Sequence, residues 1–208
     1  MAEISANGAP KPPQTRIQRR KREAILEAGL TIFSEAGFRG ATLDRIASEA
    51  GLSKPNLLYY FASKEAIYDA LLHGLLETWL DPLRALDPEG EPVDEILAYV
   101  RRKLEMARDF PRESRLFANE IIQGAPQIQA VLEGELRDLV DHTAAVIDGW
   151  VAEGRLAEVD ARHLIFSIWA QTQHYADFDV QVRAVLGGQD FEGAARHLET
   201  LFGRMLKT

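Results

Sequence analysis

The chain has 208 residues, 46% of them hydrophobic, and a formal net charge of −8. That length and apolar content suit one or two domains with a substantial core. The absence of cysteine excludes disulfides, thiolate metal sites and cysteine nucleophiles, and an intracellular setting is the simplest expectation.

The N-terminus lacks the apolar segment of a secretory signal, and no apolar run approaches membrane-spanning length. The expectation is a cytoplasmic protein with no membrane partner. Its charge is unevenly spread. Residues 1–65 carry ten Lys/Arg against seven Asp/Glu, whereas residues 66–208 carry fourteen against twenty-five. A basic end suits a polyanion and an acidic body does not, although so small an excess also arises by scatter.

In chain order, residues 1–14 are rich in Pro, Gly and small polar residues and predict a disordered tail. From Arg16 the pattern turns helical. Ile25, Gly29, Ile32, Phe33 and Ala36 recur at offsets of three and four, and Gly37 is a stop. Thr42 caps a short helix ended by Gly51. Ser53 caps another, with Pro55 tolerated in its first turn. Ser63 opens a long helix through about Leu80, bent or ended at Asp81-Pro82. After a loop over 87–92, helices are expected at 93–109, 112–123, 127–153, 161–186 and 190–206. No run of alternating β-branched residues predicts a sheet. The fold class expected is all-α, with a smaller N-terminal helical domain over 15–62 and a larger helical domain over 63–208.

The segment "ATLDRIASEAGLSKPNLLYYFASKEAI" (41–67) carries the most information. Two short helices flank "GLS", and Gly51 permits the left-handed conformation a tight interhelical turn needs. This is a helix-turn-helix, whose second helix places its N-terminal residues against base edges. Here those residues are Ser53, Lys54 and Asn56. Asn pairs with adenine in bidentate fashion, and Lys reaches guanine or a phosphate. Tyr59 and Tyr60 offer phenols to phosphates, although such a pair is as readily used in packing. Lys64 stands at the start of the next helix, a favourable place for a phosphate. Arg16 and Arg19 to Arg22 form a flanking basic run, which read alone is equally a solvated helix face.

Phe33, Gly37-Phe38, Thr42, Ile46-Ala47, Ala50 to Ser53, an aromatic pair before Phe61, and Ser63 to Glu65 fall at fixed offsets. In this respect residues 16–67 resemble the DNA-binding domain of the TetR family. Leu58 and Ala62 depart from the family's usual Tyr and Pro, which bears on base preference rather than fold. The C-terminal half, from "ETWLDPLRAL" through "RLFANEIIQGAP" to "HLIFSIWAQTQHYADFDVQVRAV", is similar to that of pyrimidine-utilisation repressors of this family, which respond to uracil and thymine. The resemblance implies double-stranded operator DNA, a uracil or thymine effector and a homodimer. It also implies Thr42, Ser53, Lys54, Asn56, Tyr59, Tyr60 and Lys64 as the DNA-binding residues.

The stretch "IWAQTQHYADF" (168–178) packs hydrogen-bonding groups into an apolar helix. Trp169 and Gln173 are four apart and share a face. A glutamine amide presents a donor beside an acceptor, which matches an N–H and carbonyl on a uracil edge, and an indole gives a flat wall. Trp79 is the opposite wall. The resemblance implies the same trio as the effector site, with His174, Tyr175 and Asn119 as further candidates. Core packing for the tryptophans, a dimer seam for Gln171 and Gln173, and metal ligation by His174 and Asp177 remain open. Val182 and Val185, with Leu198, Leu201 and Phe202, are expected to form a four-helix dimer interface. No paired-carboxylate or Ser-His-Asp arrangement is legible and no cofactor motif occurs. A helical small-molecule enzyme is therefore the lesser alternative, beside a TetR-type repressor answering to a different small planar effector.

Overall fold

The computed structural model describes residues 15–208; the tail expected over 1–14 lies outside them. Among the described residues every regular element is helical. The elements are α1 (Arg16–Gly40), α2 (Leu43–Glu49), α3 (Lys54–Tyr60), α4 (Lys64–Arg84), α5 (Pro92–Asp109), α6 (Pro111–Ile122), α7 (Gln129–Val131), a π turn (Leu132–Leu136), α8 (Arg137–Ala152), α9 (Ala161–Asp177), α10 (Asp179–Leu186) and α11 (Phe191–Met205). None of these helices is long and apolar enough to cross a membrane. Two compact units divide between Leu71 and Leu72, inside α4 rather than at its start. The first turns of α4 supply Ile67 and Tyr68, both fully buried, to the core of the first unit.

In that first unit Thr42 and Ser53 cap as the sequence predicts, and Thr15 adds a cap the sequence reading did not name. Thr15 and Gln18 form a reciprocal capping box at the start of α1. The Thr42 hydroxyl accepts from the Arg45 amide at 3.2 Å and the Ser53 hydroxyl from the Asn56 amide at 3.4 Å. The turn between α2 and α3 is a Schellman motif: the Leu52 amide donates to the Ala47 carbonyl, the Gly51 amide to that of Ser48, and Gly51 has φ +65°. Gly37, at φ +64°, kinks α1 near its end. Ile25, Phe33, Ile46, Leu57 and Ile67 form the core, with the Phe33 ring edge-on to Tyr68 at 4.9 Å.

The second unit is built around α9, against which α5, α6 and α8 pack, with α11 on the far side of α5. Its core joins Ile96, Tyr99, Val100 and Leu104 of α5 to Ile147 and Trp150 of α8, Leu164, Ile165 and Ile168 of α9, and Leu198 and Phe202 of α11. Two expectations need correction. Pro82 does not end α4, which continues to Arg84 because Leu80 and Leu83 on either side of it are both buried. The helix expected over 161–186 is two helices, broken at Phe178 (φ −115°, ψ 32°). The cause lies in α6. Ser114 Oγ donates to the Asp177 carboxylate at 2.6 Å, Arg115 reaches the Ala176 carbonyl at 3.5 Å, and Arg115 also pairs with Asp179 at 3.8 Å. Both sides of the break are thereby held to one neighbouring helix.

The apolar stripes expected to face a second copy divide between two roles. Val182, Leu198 and Phe202 are buried within the chain, whereas Val185 and Leu201 are exposed, and Leu186 and Met205, which lie outside those stripes, are exposed too.

Gly29 lies where α1 meets α4, and a Cβ there would stand 2.9 Å from Ile67 Cγ2. That methyl sits on a β-branched side chain with little freedom to move. Gly29→Ala is expected to destabilise the protein by about 1–3 kcal/mol, measured by urea denaturation, despite alanine's better helix propensity.

Candidate functional site

The candidate DNA-reading residues gather around α3. Lys54, Asn56 and Tyr59 are exposed, Tyr59 at 73%. The Lys54 ammonium pairs with Asp44 at 2.9 Å, an exposed pair of small worth that a phosphate can displace. Tyr60 is half-buried with its ring edge-on to Tyr59 at 5.1 Å. The Thr42 and Ser53 oxygens accept capping bonds, which leaves each hydroxyl hydrogen free to donate to a phosphate.

Two cations expected at the phosphates are already engaged. Lys64 Nζ donates to the carbonyls of Phe38 at 2.8 Å and Ala41 at 3.0 Å and lies 4.2 Å from the Phe38 ring centroid. Only one of its three N–H bonds remains for a phosphate. Arg22 lies 4.0 Å from the Phe61 ring centroid and donates to the Tyr60 carbonyl at 3.3 Å. It pins the end of α3 to α1, a structural duty that a position within a basic run does not advertise.

The second candidate site is a slot inside the other unit. Trp79 on α4, Tyr99 and Lys103 on α5, Phe117 on α6, Leu136 on the π turn, and Trp169 and Gln173 on α9 line a cavity of about 40 Å³. By the space one molecule needs, that is room for roughly three waters. A wider cavity of about 610 Å³ shares Phe117, Leu136, Trp169 and Gln173 and adds Asn119, Ile122 and Asp177. The slot is thus the narrow end of a larger opening. Trp79, Trp169 and Gln173, singled out from the sequence, line the same slot, and Asn119 lines the wider part. His174 and Tyr175 line neither. The His174 ring stacks on the exposed Phe178 at 5.1 Å, and Tyr175 packs toward Phe191 at 6.1 Å. Successive helical residues turn by about 100°, so the positions after Gln173 face elsewhere.

Tyr99, Lys103 and Phe117 are among the slot residues that escaped the sequence reading. The Trp169 indole N–H donates to the Tyr99 hydroxyl at 2.6 Å. Burial pushes the Tyr99 phenol well above its ordinary value, against the opposing Trp169 hydrogen bond, so it stays neutral. Lys103 is 3% exposed, and its ammonium lies 5.2 Å from the Trp79 ring centroid, a cation–π arrangement. Burial pulls its pKa down to about 7, with the Asp177 charge opposing. Burial likewise raises Asp177, against Ser114, Arg115, Lys103 and His174. Trp79 Nε1 is a buried donor with no partner among the described residues, which costs about 1–3 kcal/mol. Among the described residues, no cluster of three or more His, Cys, Asp or Glu could hold a metal ion.

Residues 25–71 match the family model for bacterial regulatory proteins of the tetR family. Residues 72–207 match the model for the C-terminal region of YcdC-like proteins. The chain is 53% identical over 167 residues to the HTH-type transcriptional regulator RutR of Escherichia coli K12, across 80% of this chain and 79% of that protein. It is similar in fold to a TetR-like transcriptional regulator from Rhodococcus sp. RHA1 (TM-score 0.67, 21% identity, 88% of this chain and 94% of that one). A further fold match is AibR, solved with isovaleryl coenzyme A and operator DNA (TM-score 0.71, 18% identity, 87% and 97%).

Lys103 yields a pH prediction with a definite sign. Unfolded, it holds its proton to near its ordinary 10.5; folded, it releases it near 7. Between those values the unfolded state binds more protons, so this residue's destabilising effect is full below pH 7 and fades as pH rises. Lys103→Met is expected to melt above the wild type at neutral pH, with the gap narrowing by about pH 9.5. Thermal melts at several pH values check this, and a gap independent of pH would contradict it.

Proposed function

Because the chain belongs to the TetR family of DNA-binding transcriptional regulators, we propose that it represses pyrimidine-utilisation genes and leaves its operator when uracil or thymine binds. It is a regulator and not an enzyme. What supports the effector is the slot: two tryptophans, an edge-reading glutamine and an indole N–H that lacks an acceptor. A flat ring with carbonyl groups supplies what those side chains lack. A different small planar effector with the same groups is the second reading, favoured by the same unpaired donor.

On the DNA side, Asn56 and Lys54 read base edges. Thr42, Ser53, Tyr59, Tyr60 and the remaining N–H of Lys64 hold phosphates. One recognition helix of seven residues makes few base contacts, so we infer a homodimer on two half-sites about one helical turn apart. The exposed Val185, Leu186, Leu201 and Met205 are its apolar contact surface. Such a regulator acts in the cytoplasm, where the chromosome is. Trp79 lies on α4, the helix that starts at Lys64, so ligand in the slot acts on that helix. To release DNA the ligand must bind the non-DNA conformer more tightly, and a hundredfold release needs about 2.7 kcal/mol of differential affinity.

A mobility-shift assay on promoter DNA tests this, with uracil or thymine expected to reverse the shift. No specific shift at low salt would sink the operator assignment, and a shift that neither pyrimidine reverses would sink the effector. Gln173→Ala is expected to bind DNA normally and ignore uracil. Lys54→Ala is expected to weaken binding across sequences and to reduce the salt slope by about one.

A further inference from the structure

We propose that the slot selects the imide edge of its ligand, O=C–NH–C=O, and that Lys103 and the Trp79 indole N–H are the donors that make two ring carbonyls obligatory. This rests on the reading of the slot as the effector site. It adds the residues that decide which rings are refused.

The slot's polar groups are unbalanced. Trp169 has already given its N–H to the Tyr99 oxygen, and the Tyr99 hydroxyl keeps its own hydrogen to donate. Trp79 Nε1 has no partner. Lys103 is buried with its ammonium over the Trp79 ring face. The charge of Asp177 reaches it only from a distance, and that carboxylate accepts from Ser114 instead. Lys103, Trp79 and Tyr99 all line the slot and each carries a donor, and the Gln173 amide oxygen is an acceptor beside them.

The complementary ligand brings two acceptors and one N–H between them. A diketo pyrimidine does so: its carbonyls take the donors of Lys103 and Trp79 or Tyr99, and the Gln173 oxygen takes the ring N–H. Replacing one carbonyl by an amino group, as in cytosine, sets donor against donor. A buried ammonium or indole N–H then goes unpaired. Sites built on hydrogen bonds reject such analogues strongly, because the mismatch is paid in buried polar groups. The apolar walls would tolerate either ring, so the discrimination falls to Lys103 and Trp79.

Calorimetric titration of the full-length protein tests this with uracil, cytosine and glutarimide, a non-aromatic ring with the same imide edge. The wild type is expected to bind both imides and to hold cytosine at least ~100-fold more weakly. Lys103→Met is expected to lose about 10- to 100-fold in imide affinity with little change for cytosine, so the ratio collapses although the variant is the more heat-stable. Trp79→Phe keeps a ring and loses the N–H, and a loss of roughly tenfold for the imides is expected. An unchanged uracil-to-cytosine ratio in Lys103→Met, or a wild type that takes cytosine as well as uracil, would overturn the proposal. If glutarimide binds in a Lys103-dependent way while uracil does not, the pyrimidine reading falls and the imide selection stands. If neither imide binds the wild type, the imide selection falls.

Discussion

One side of helix α9 packs against α5, α6 and α8, and a polar side chain buried on that side must find a partner. Most of the second unit follows from how that demand is met. Thr172 turns back onto the Ile168 carbonyl at 2.7 Å. Trp169 spends its N–H on Tyr99 of α5, and Asp177 accepts from Ser114 of α6. The same bond to α6, with those of Arg115, ends the helix at Phe178. Gln173 lines the slot, while His174 is exposed and stacks on Phe178. The polar cluster thus divides among a side chain at the slot, fasteners to α5 and α6, and groups at the surface.

Much of the fold was legible because local chemistry decided it. Thr42 and Ser53 are caps whose side chains accept where caps should, and Gly51 takes the positive φ that the turn between α2 and α3 needs. The break at Phe178 was not legible, since neither Gly nor Pro marks it and its cause is a neighbouring helix. The trio Trp79, Trp169 and Gln173 was found because tryptophan and glutamine stand out in an apolar helix. Lys103 was missed because it follows Arg101 and Arg102 and reads as part of a solvated run. A signal was present: Ile96, Val100, Lys103 and Ala107 fall at helical spacing on the buried side of α5. A charged residue in register with a core stripe is a different object from one in a charged run.

The DNA-reading unit shows how poorly a basic residue's role is told from its charge. Arg22 and Lys64 both lie over aromatic rings and both donate to backbone carbonyls. They fasten the helices together at a cost of N–H groups that would otherwise meet phosphates. Lys54 and Asn56, on the exposed start of α3, have no such duty to the fold. The exposed cation at the start of α3 and the cations that fasten the helices are therefore different residues.

The π turn at Leu132–Leu136 carries an implication for how the cavity's walls differ. Leu136 lines both the slot and the wider cavity, and Leu132 lines the latter. A π turn holds one residue more than an α turn. Deleting a residue there restores an ordinary α turn and leaves the helical segments on either side in phase. The same deletion in α5 or α9 would turn a core stripe into solvent. A single-residue deletion is thus tolerable at one wall of the cavity and ruinous at the others.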